Sequence, residues 1–217
     1  RVLLARAVAP KETGMGLGGK NIGVIATTDD SGAGLIAGVK NQAEKLGLDL
    51  KYQEVEPAAT DYSAAVSVLK NAGCDVVIAC MNQAPLATFM ASMRDANYNA
   101  SIITSYVNAS PTTLGKFVED GSVTADRMVY TTAWLDTSSE AGLAGYMEFA
   151  AAMAAWELDN GLSGSEYALN SFAMAGYIAG NIFAQSLDAL DKAGLELNYQ
   201  NYYDIMEKTE FQIPMGG

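Results

Sequence analysis

The feature that most constrains the fold is the alternation of short apolar runs with segments of helical periodicity between residues 21 and 134. Each apolar run has the length of a strand, and helix signals separate one run from the next. Buried strands joined by helices form parallel sheets that are covered on both faces, so the pattern predicts an open α/β domain. The predicted strands are 22–26, 48–55, 75–80, 101–106 and 128–134.

Capping residues mark the boundaries of the predicted helices. Gly47 and Gly73 follow helical segments, where a glycine is the usual stop signal. Asp61 and Ser110 precede helical segments and are typical N-caps. These signals predict that the strands are connected by helices of ordinary length.

The pattern changes after residue 134. A polar connector at 135–139 leads to three predicted helices, and no further strand pattern follows. Helices with broad apolar faces and no sheet of their own need a partner, which predicts a second lobe whose strands lie outside this chain. We therefore expect α/β architecture: an open parallel sheet flanked by helices, plus the helices of a second, incomplete lobe. The predicted helices are 142–158, 165–190 and 198–208.

The two patterns divide the chain near residue 135. Residues 21–135 are interpreted as one complete lobe, and the helices that follow as parts of another lobe. On this interpretation the chain is a piece of a larger protein.

Composition excludes several kinds of chemistry. The chain has no His, which excludes Ser-His and Cys-His nucleophiles and His-ligated metal sites. It carries 13 Lys and Arg against 25 Asp and Glu, a net charge of −12, which argues against a nucleic-acid partner. No catalytic residue, metal or cofactor is predicted. Small-molecule binding or carboxylate chemistry remains.

Three other patterns have ordinary structural interpretations. Cys74 and Cys80 lie at opposite ends of one predicted strand, about 20 Å apart at the strand rise, so no disulfide is expected. The uncharged segment 170–187 contains amides and serines and is interpreted as a buried helix, not a membrane span. The GxGxxG motif at 14–19 precedes a strand and opens no helix, so it lacks the context of a dinucleotide site.

The pair Asp29 and Asp30 stands at the carboxyl end of the first predicted strand. The simplest interpretation is helix capping, since acidic residues are favourable at a helix N-terminus. Contact with a ligand is a second interpretation. A Mg²⁺ site for phosphoryl transfer is a third, but adjacent carboxylates on extended backbone point in different directions.

Polar side chains follow three of the predicted strands. Asp30 and Ser31 follow the first strand, Asn82 and Gln83 the third, and Tyr106 the fourth. The carboxyl ends of parallel strands meet at one edge of the sheet, where open α/β folds bind ligands. Hydroxyl, amide and phenol groups with few charges predict recognition of a small polar molecule.

The order of the segments resembles type I periplasmic binding proteins, most closely the leucine/isoleucine/valine-binding family that serves ABC transporters. The resemblance spans roughly residues 21–211 and is carried by three stretches. They are Ile22-Gly23-Val24-Ile25 continuing to Leu35, Ala59-Thr60-Asp61-Tyr62-Ser63 continuing to Val77, and Tyr167-Ala168 continuing to Leu190.

The resemblance implies an extracytoplasmic solute-binding protein, periplasmic or lipid-anchored at the outer face of the cell membrane. It implies no enzymatic activity, closure of two lobes on a small polar or amino-acid-like molecule, and an ABC permease as partner. By position, the family's second-lobe contacts fall at Ser31, Asn82 and Tyr106.

The resemblance also implies that residues 1–20 are a lead-in from the first lobe, that 21–135 are the complete second lobe, and that 136–217 are helices of the first lobe with the return crossover. The expected hinges are 135–137 and 212–214.

The sequence departs from the family at two of these positions. Amino-acid binders of the family carry an aromatic residue where Ser31 stands and an acidic residue, which pairs with the ligand's ammonium, where Tyr106 stands. A simple α-amino-acid ligand is therefore in doubt. Asp29 or Asp30 is the alternative anchor, and Tyr106 is an alternative stacking surface for an aromatic or cationic group.

Two alternative functions and one possible oligomeric state remain open at this point. The same fold serves as the ligand-sensing domain of receptors and transcription regulators. A Mg²⁺-dependent hydrolytic enzyme using Asp29 and Asp30 is a minor alternative. Two copies of the chain can also form a homodimer by exchanging the helices that lack a sheet.

Overall fold

The computed structural model describes residues 1–132, 135, 139–164 and 167–216. The chain forms two compact units, Arg1–Ala133 and Trp134–Gly217. We call them unit 1 and unit 2. The division lies close to the expected boundary at 135, and the assignment of the units to two lobes stays a prediction.

Unit 1 is built on five parallel strands in the order β2-β1-β3-β4-β5. The five predicted strands are confirmed. The first extends one residue beyond its predicted end at 26, and the other four are shorter than predicted over the described residues. The predicted end of the last strand, residues 133 and 134, lies outside the described residues. The strands are β1 (Ile22–Thr27), β2 (Lys51–Val55), β3 (Val76–Cys80), β4 (Ser101–Thr104) and β5 (Val129–Thr131).

Five helices and one short 3-10 turn complete unit 1. The turn, Tyr106–Asn108, begins at the last residue of the segment 101–106 that was predicted as the fourth strand. The helices are α1 (Val2–Val8), α2 (Asp30–Leu46), α3 (Ser63–Asn71), α4 (Gln83–Asp95) and α5 (Pro111–Glu119). Gly47 ends α2 with a φ of 65°, a left-handed conformation that glycine adopts without steric cost.

The sheet is covered on both faces, as the apolar runs predict. Side chains alternate across the strand, so Val24 packs with α1 and α2 while its neighbour Ile25 packs with α3 and α4. The inner face of α4 is completely buried. It consists of Leu86, Phe89, Met90 and Met93.

Residues 1–20 form part of unit 1, although no element was predicted there. Leu4 and Ala7 of α1 are fully buried in the core that also contains α2. A helix of seven residues is too short to give a clear periodicity in the sequence. As predicted, no helix opens on the glycine-rich motif at 14–19, which leads into β1.

Arg127 links the α4–β4 connection to the α5–β5 connection at the amino ends of β4 and β5. Its side chain is almost fully buried and donates to the backbone oxygens of Tyr98, Gly121 and Ser122 and to the Asn99 Oδ1. Burial lowers the pKa of the guanidinium. The five donors of the guanidinium fork make such a buried arginine tolerable without a carboxylate.

Unit 2 contains three helices, α6 (Glu140–Asp159), α7 (Ser171–Lys192) and α8 (Tyr199–Lys208), and no strand among its described residues. The prediction of three helices is confirmed. The second begins at Ser171, later than the predicted 165: residues 167–170 are not helical, and 165 and 166 lie outside the described residues. Phe149 is the centre of a small apolar cluster with Met174, Ile178 and Met215.

Many apolar side chains of unit 2 are exposed to solvent. The described part of α8 has no buried residue. Trp156, Leu158, Phe172 and Phe183 each expose at least half of their surface. None of the helices in the described part of the chain is long and apolar enough to span a membrane.

Candidate functional site

The carboxyl ends of β1, β3 and β4 are neighbours in the sheet. In the parallel register Ala26 stands beside Cys80, and Ala79 stands beside Thr104. The chain leaves β1 towards one edge of the sheet and β3 towards the other, which makes the gap between these two strands a topological switch point. We define the rim as residues 28–31, 81–83 and 105–108.

The rim contains all five predicted ligand-binding residues. Parallel neighbours lie about 4.8 Å apart, so three successive loops bring their polar groups to one edge. These residues are Asp30, Ser31, Asn82, Gln83 and Tyr106. Their proposed contacts with a ligand stay predictions.

Asp29 is a helix cap. Its Oδ1 accepts the backbone N–H of Gly32 at 2.8 Å and the Thr27 hydroxyl at 2.7 Å. The hydrogen bond from Gly32, followed by that from Thr27, lowers the pKa of this carboxyl. The capping interpretation is therefore confirmed for Asp29, and Asp30 lies exposed in the first turn of α2.

A metal role for the acidic pair finds no structural support. One oxygen of Asp29 is already committed to two hydrogen bonds. The described residues contain no group of three or more Cys, Asp or Glu side chains that could hold a metal ion. The carboxylates thus act on α2, where they complement its positive end.

Ser31 and Asn82 are partly exposed at the starts of α2 and α4. Ser31 lies in the first turn of α2. Asn82 occupies the N-cap position of α4 in extended conformation, but its side chain makes no capping hydrogen bond. The Asn82 side-chain amide is therefore not used to cap α4.

Gln83 and Tyr106 are held on neighbouring turns. The Gln83 Nε2 donates to the Val107 backbone oxygen at 2.7 Å, so this donor is used within the protein. Tyr106 exposes 42% of its surface at the start of the 3-10 turn. The ring is therefore accessible on the rim.

Asn108 is a rim residue whose structural role the sequence did not indicate. It is completely buried, and its Nδ2 donates to the Met81 backbone oxygen at 2.9 Å and to the Thr104 Oγ1 at 2.8 Å. The bond to Thr104 spans four residues, but no local motif predicts the bond to Met81, because these two positions lie 27 residues apart.

An open groove with a volume of about 760 Å³ lies beside the rim. Tyr106 is the predicted residue that lines it; Ser31, Asn82, Gln83 and Asp30 are not among the described residues around it. The other lining residues belong to the start of α1, to α2 and to the loops after β4 and β5. They are Arg1, Val2, Leu3, Gly34, Leu35, Ala37, Gly38, Asn41, Ser105 and Thr132.

The charge on the rim is negative. Its sequence contains Asp29 and Asp30 but no Lys or Arg. The positive end of α2 offsets part of this charge. The arrangement is suited to hydrogen bonding with neutral or cationic polar groups, and it offers no cation to bind an anionic group.

A family model described as "Periplasmic binding protein" matches residues 5–217. A comparison with curated proteins gives no match. Solved structures resemble the chain in fold. A leucine-binding protein from Thermotoga maritima, LivK, has a TM-score of 0.62 at 19% identity, covering 96% of this chain and 53% of that protein.

Two further structures give the same picture. An extracellular ligand-binding receptor from Rhodopseudomonas palustris has a TM-score of 0.65 at 16% identity, covering 93% of this chain and 56% of the receptor. A protein described as an ABC transporter permease, from the Pseudomonas fluorescens group, has a TM-score of 0.63 at 17% identity, with coverages of 95% and 49%.

The chain spans about half the length of these solved structures. At such low identities the likeness demonstrates the fold, while the family model supplies the relationship. The parallel sheet, the order of its strands and the match over residues 5–217 agree with the resemblance that the sequence motifs carry. The chain belongs to the periplasmic binding protein family and has the type I fold.

Proposed function

We propose that the chain is part of an extracytoplasmic solute-binding protein that delivers a small polar molecule to an ABC importer. Membership in the periplasmic binding protein family supports a solute-binding role. The observation that carries the proposal is the meeting of three polar loops at the switch point of the sheet. They contribute Ser31, Asn82 and Tyr106.

The rim favours a neutral or cationic polar group on the solute. Asp30 supplies a negative charge, and the exposed face of Tyr106 offers a surface for cation–π contact or stacking. The Thermotoga maritima relative is a leucine-binding protein, so amino-acid-like molecules are the first class to test. Molecules with two cationic groups or an aromatic ring form the second class.

The proposed mechanism is hinge closure of two lobes around the solute. Of the expected hinges, residues 136 and 137 lie outside the described residues. The other, 212–214, begins at a residue that is paired with α7. Gln185 Nε2 donates to the Gln212 backbone oxygen at 2.8 Å, and the Gln212 N–H donates to Gln185 Oε1 at 2.9 Å. We expect any hinge motion there to begin beyond this pair.

The exposed apolar side chains of unit 2 support two related proposals. Helices such as α6 and α7 need an apolar surface to cover them. We propose that, in a longer protein, the strands of a first lobe cover their exposed faces. In the isolated chain, exchange of helices between two copies would cover the same faces. Size-exclusion chromatography of the isolated chain tests the exchange, which a monomeric elution volume at all concentrations contradicts.

A thermal-shift screen of the longer protein tests the solute-binding proposal. The panel contains the standard amino acids, polyamines and aromatic amines. A solute at a hundred times its Kd is expected to stabilise the protein by about 2.7 kcal/mol, because it binds the folded state alone. If no member of these classes raises the Tm, the proposed ligand class is wrong.

Paired tyrosine variants test the position of the site. Tyr106→Ala is expected to reduce the Tm shift given by the active solute. Tyr130→Ala is the matched control, because Tyr130 exposes 41% of its surface on β5, outside the rim. Equal loss in both variants contradicts a site on the rim. Uptake of the active solute by cells distinguishes an importer component from a sensor domain. Tyr106→Ala is expected to reduce this uptake in an importer component, whereas a sensor domain binds the solute without transporting it.

A further inference from the structure

We infer that Asn108 is a positioning residue that fixes the loop after β3 and the turn after β4 relative to each other. We call this hydrogen-bonded arrangement the lock. These segments carry Asn82 and Tyr106, so the lock presents both side chains as a preformed surface. The importance of the lock for binding rests on the proposed function, whereas the lock itself is a property of unit 1.

The first evidence is the hydrogen bonding of the buried amide. Asn108 is fully buried, and its Nδ2 donates to the Met81 oxygen at 2.9 Å, one residue before Asn82. The same nitrogen donates to the Thr104 Oγ1 at 2.8 Å, and that hydroxyl donates to the Ala79 oxygen at 2.9 Å. A single side chain thus joins the ends of β3 and β4.

A second link runs in the opposite direction between the same two loops. The Gln83 Nε2 donates to the Val107 oxygen at 2.7 Å. Asn108 reaches from the turn after β4 to the loop after β3, and Gln83 reaches back. Neither loop can shift alone without breaking buried or partly buried hydrogen bonds, whose loss leaves polar groups unpaired.

The third argument concerns the other atom of the amide. The Asn108 Oδ1 is buried and has no hydrogen-bond partner in the part of the chain that the structure describes. A buried acceptor of this kind is unfavourable, and a leucine would fill a similar volume without it. Asparagine at this position is therefore explained by its two donated bonds and not by packing.

The test is amide hydrogen exchange in unit 1 of the intact protein, with no solute present. In Asn108→Leu, exchange is expected to become at least about tenfold faster in both segments, 81–83 and 105–108, because the variant loses two buried hydrogen bonds and one such bond alone predicts about that factor. Exchange in β1 and β3 is expected to change less than this.

Tyr98→Phe is the matched control. It removes one buried hydrogen bond, from the Tyr98 hydroxyl to the Cys74 oxygen at 2.6 Å, at the opposite end of the sheet. A general loss of stability would raise exchange on the rim equally in both variants, and that result overturns the inference. Faster exchange of 105–108 alone in Asn108→Leu overturns it as well.

Gln83→Leu provides a second variant should Asn108→Leu fail to fold. Gln83 is partly exposed, so its replacement removes the second link without opening a fully buried position. Both segments are again expected to exchange faster, and a response confined to 81–83 overturns the lock. Hydrogen exchange is measured without solute. A thermal-shift screen without a hit would therefore contradict the proposed function, while the exchange rates of the two segments would still test the lock.

Discussion

The Asp29 Oδ1 accepts the backbone N–H of Gly32 at 2.8 Å, which fixes the first turn of α2 against the end of β1. Asp29→Ala is expected to lower the free energy of unfolding by about 1 kcal/mol, the usual value of an N-cap. Asp29→Asn is the control, because its amide oxygen can accept the same bond. Urea denaturation measures both. A large loss in the asparagine variant would indicate a role for the charge beyond capping.

The same carboxyl predicts a pH dependence. Its pKa is lowered below 3.8 by the hydrogen bond from Gly32 and, secondarily, by that from Thr27. The folded pKa therefore lies below the unfolded value, so the stabilisation is present above the unfolded pKa and is lost as pH falls through the folded one.

We expect the Tm of the wild type, relative to Asp29→Asn, to fall as the pH is lowered from about 4 through the folded pKa. Thermal unfolding at a series of pH values measures this difference. A difference that stays constant from neutral pH to the acid limit would contradict the assignment.

Gly32 and Gly34 form a matched pair on α2. A Cβ at Gly32 would lie 2.0 Å from the Thr27 backbone oxygen, whereas nothing stands within 4 Å of one at Gly34. Gly32→Ala is expected to destabilise unit 1 strongly, because backbone has to move. Gly34→Ala is expected to stabilise it by about 0.5–1 kcal/mol through helix propensity. Equal effects of the two variants in urea denaturation would show that the short distance between Gly32 and the Thr27 oxygen does not exclude a Cβ at position 32.

Replacement of Arg127 is expected to be costly. Arg127→Met leaves the backbone oxygens of the buried residues Tyr98 and Ser122 without their donor, at about 1–3 kcal/mol for each, and removes two further bonds, to Gly121 and Asn99, which are exposed. We expect a loss of at least about 3 kcal/mol in chemical denaturation. Arg94→Met is the control, since Arg94 pairs with Asp95 and Asp120 at the surface and is expected to have little effect.

Both cysteines are expected to be unreactive in the folded protein. Cys74 and Cys80 are free and buried, and burial raises the pKa of the Cys80 thiol to about 12 and also raises that of Cys74. Because the thiolate is the reactive form, a thiol reagent at neutral pH should modify neither residue until the chain unfolds. Rapid modification of the native protein would contradict the burial of the two thiols.

The sequence was sufficient to predict the sheet and most of the helices connecting its strands. The apolar runs at β1 and β3 are buried on both faces, and burial on both faces produces continuous apolar stretches that are visible in the sequence. Gly47 and Asp29 mark the ends of α2 through their local backbone preferences. Such signals depend on neighbouring residues, so they can be interpreted one segment at a time.

The candidate site was only partly predictable. Topology alone brings the loops after β1, β3 and β4 together, which is why Ser31, Asn82 and Tyr106 could be grouped. The use of the Gln83 donor within the protein could not be predicted, because its acceptor Val107 lies 24 residues away. The helix α1 was also missed, since its burial depends on contact with α2.

The sequence by itself determined the fold class, through local periodicity, and the absence of histidine chemistry, through composition. The family resemblance is carried by three stretches of the sequence, which are equally visible without the structure. Only the tertiary structure decided which polar groups serve the protein itself. Gln83 donates to the Val107 oxygen, and Asn108 joins the ends of β3 and β4, which are separated along the chain. A hydrogen bond between distant positions depends on how the strands are ordered in the sheet, and no local pattern encodes that order.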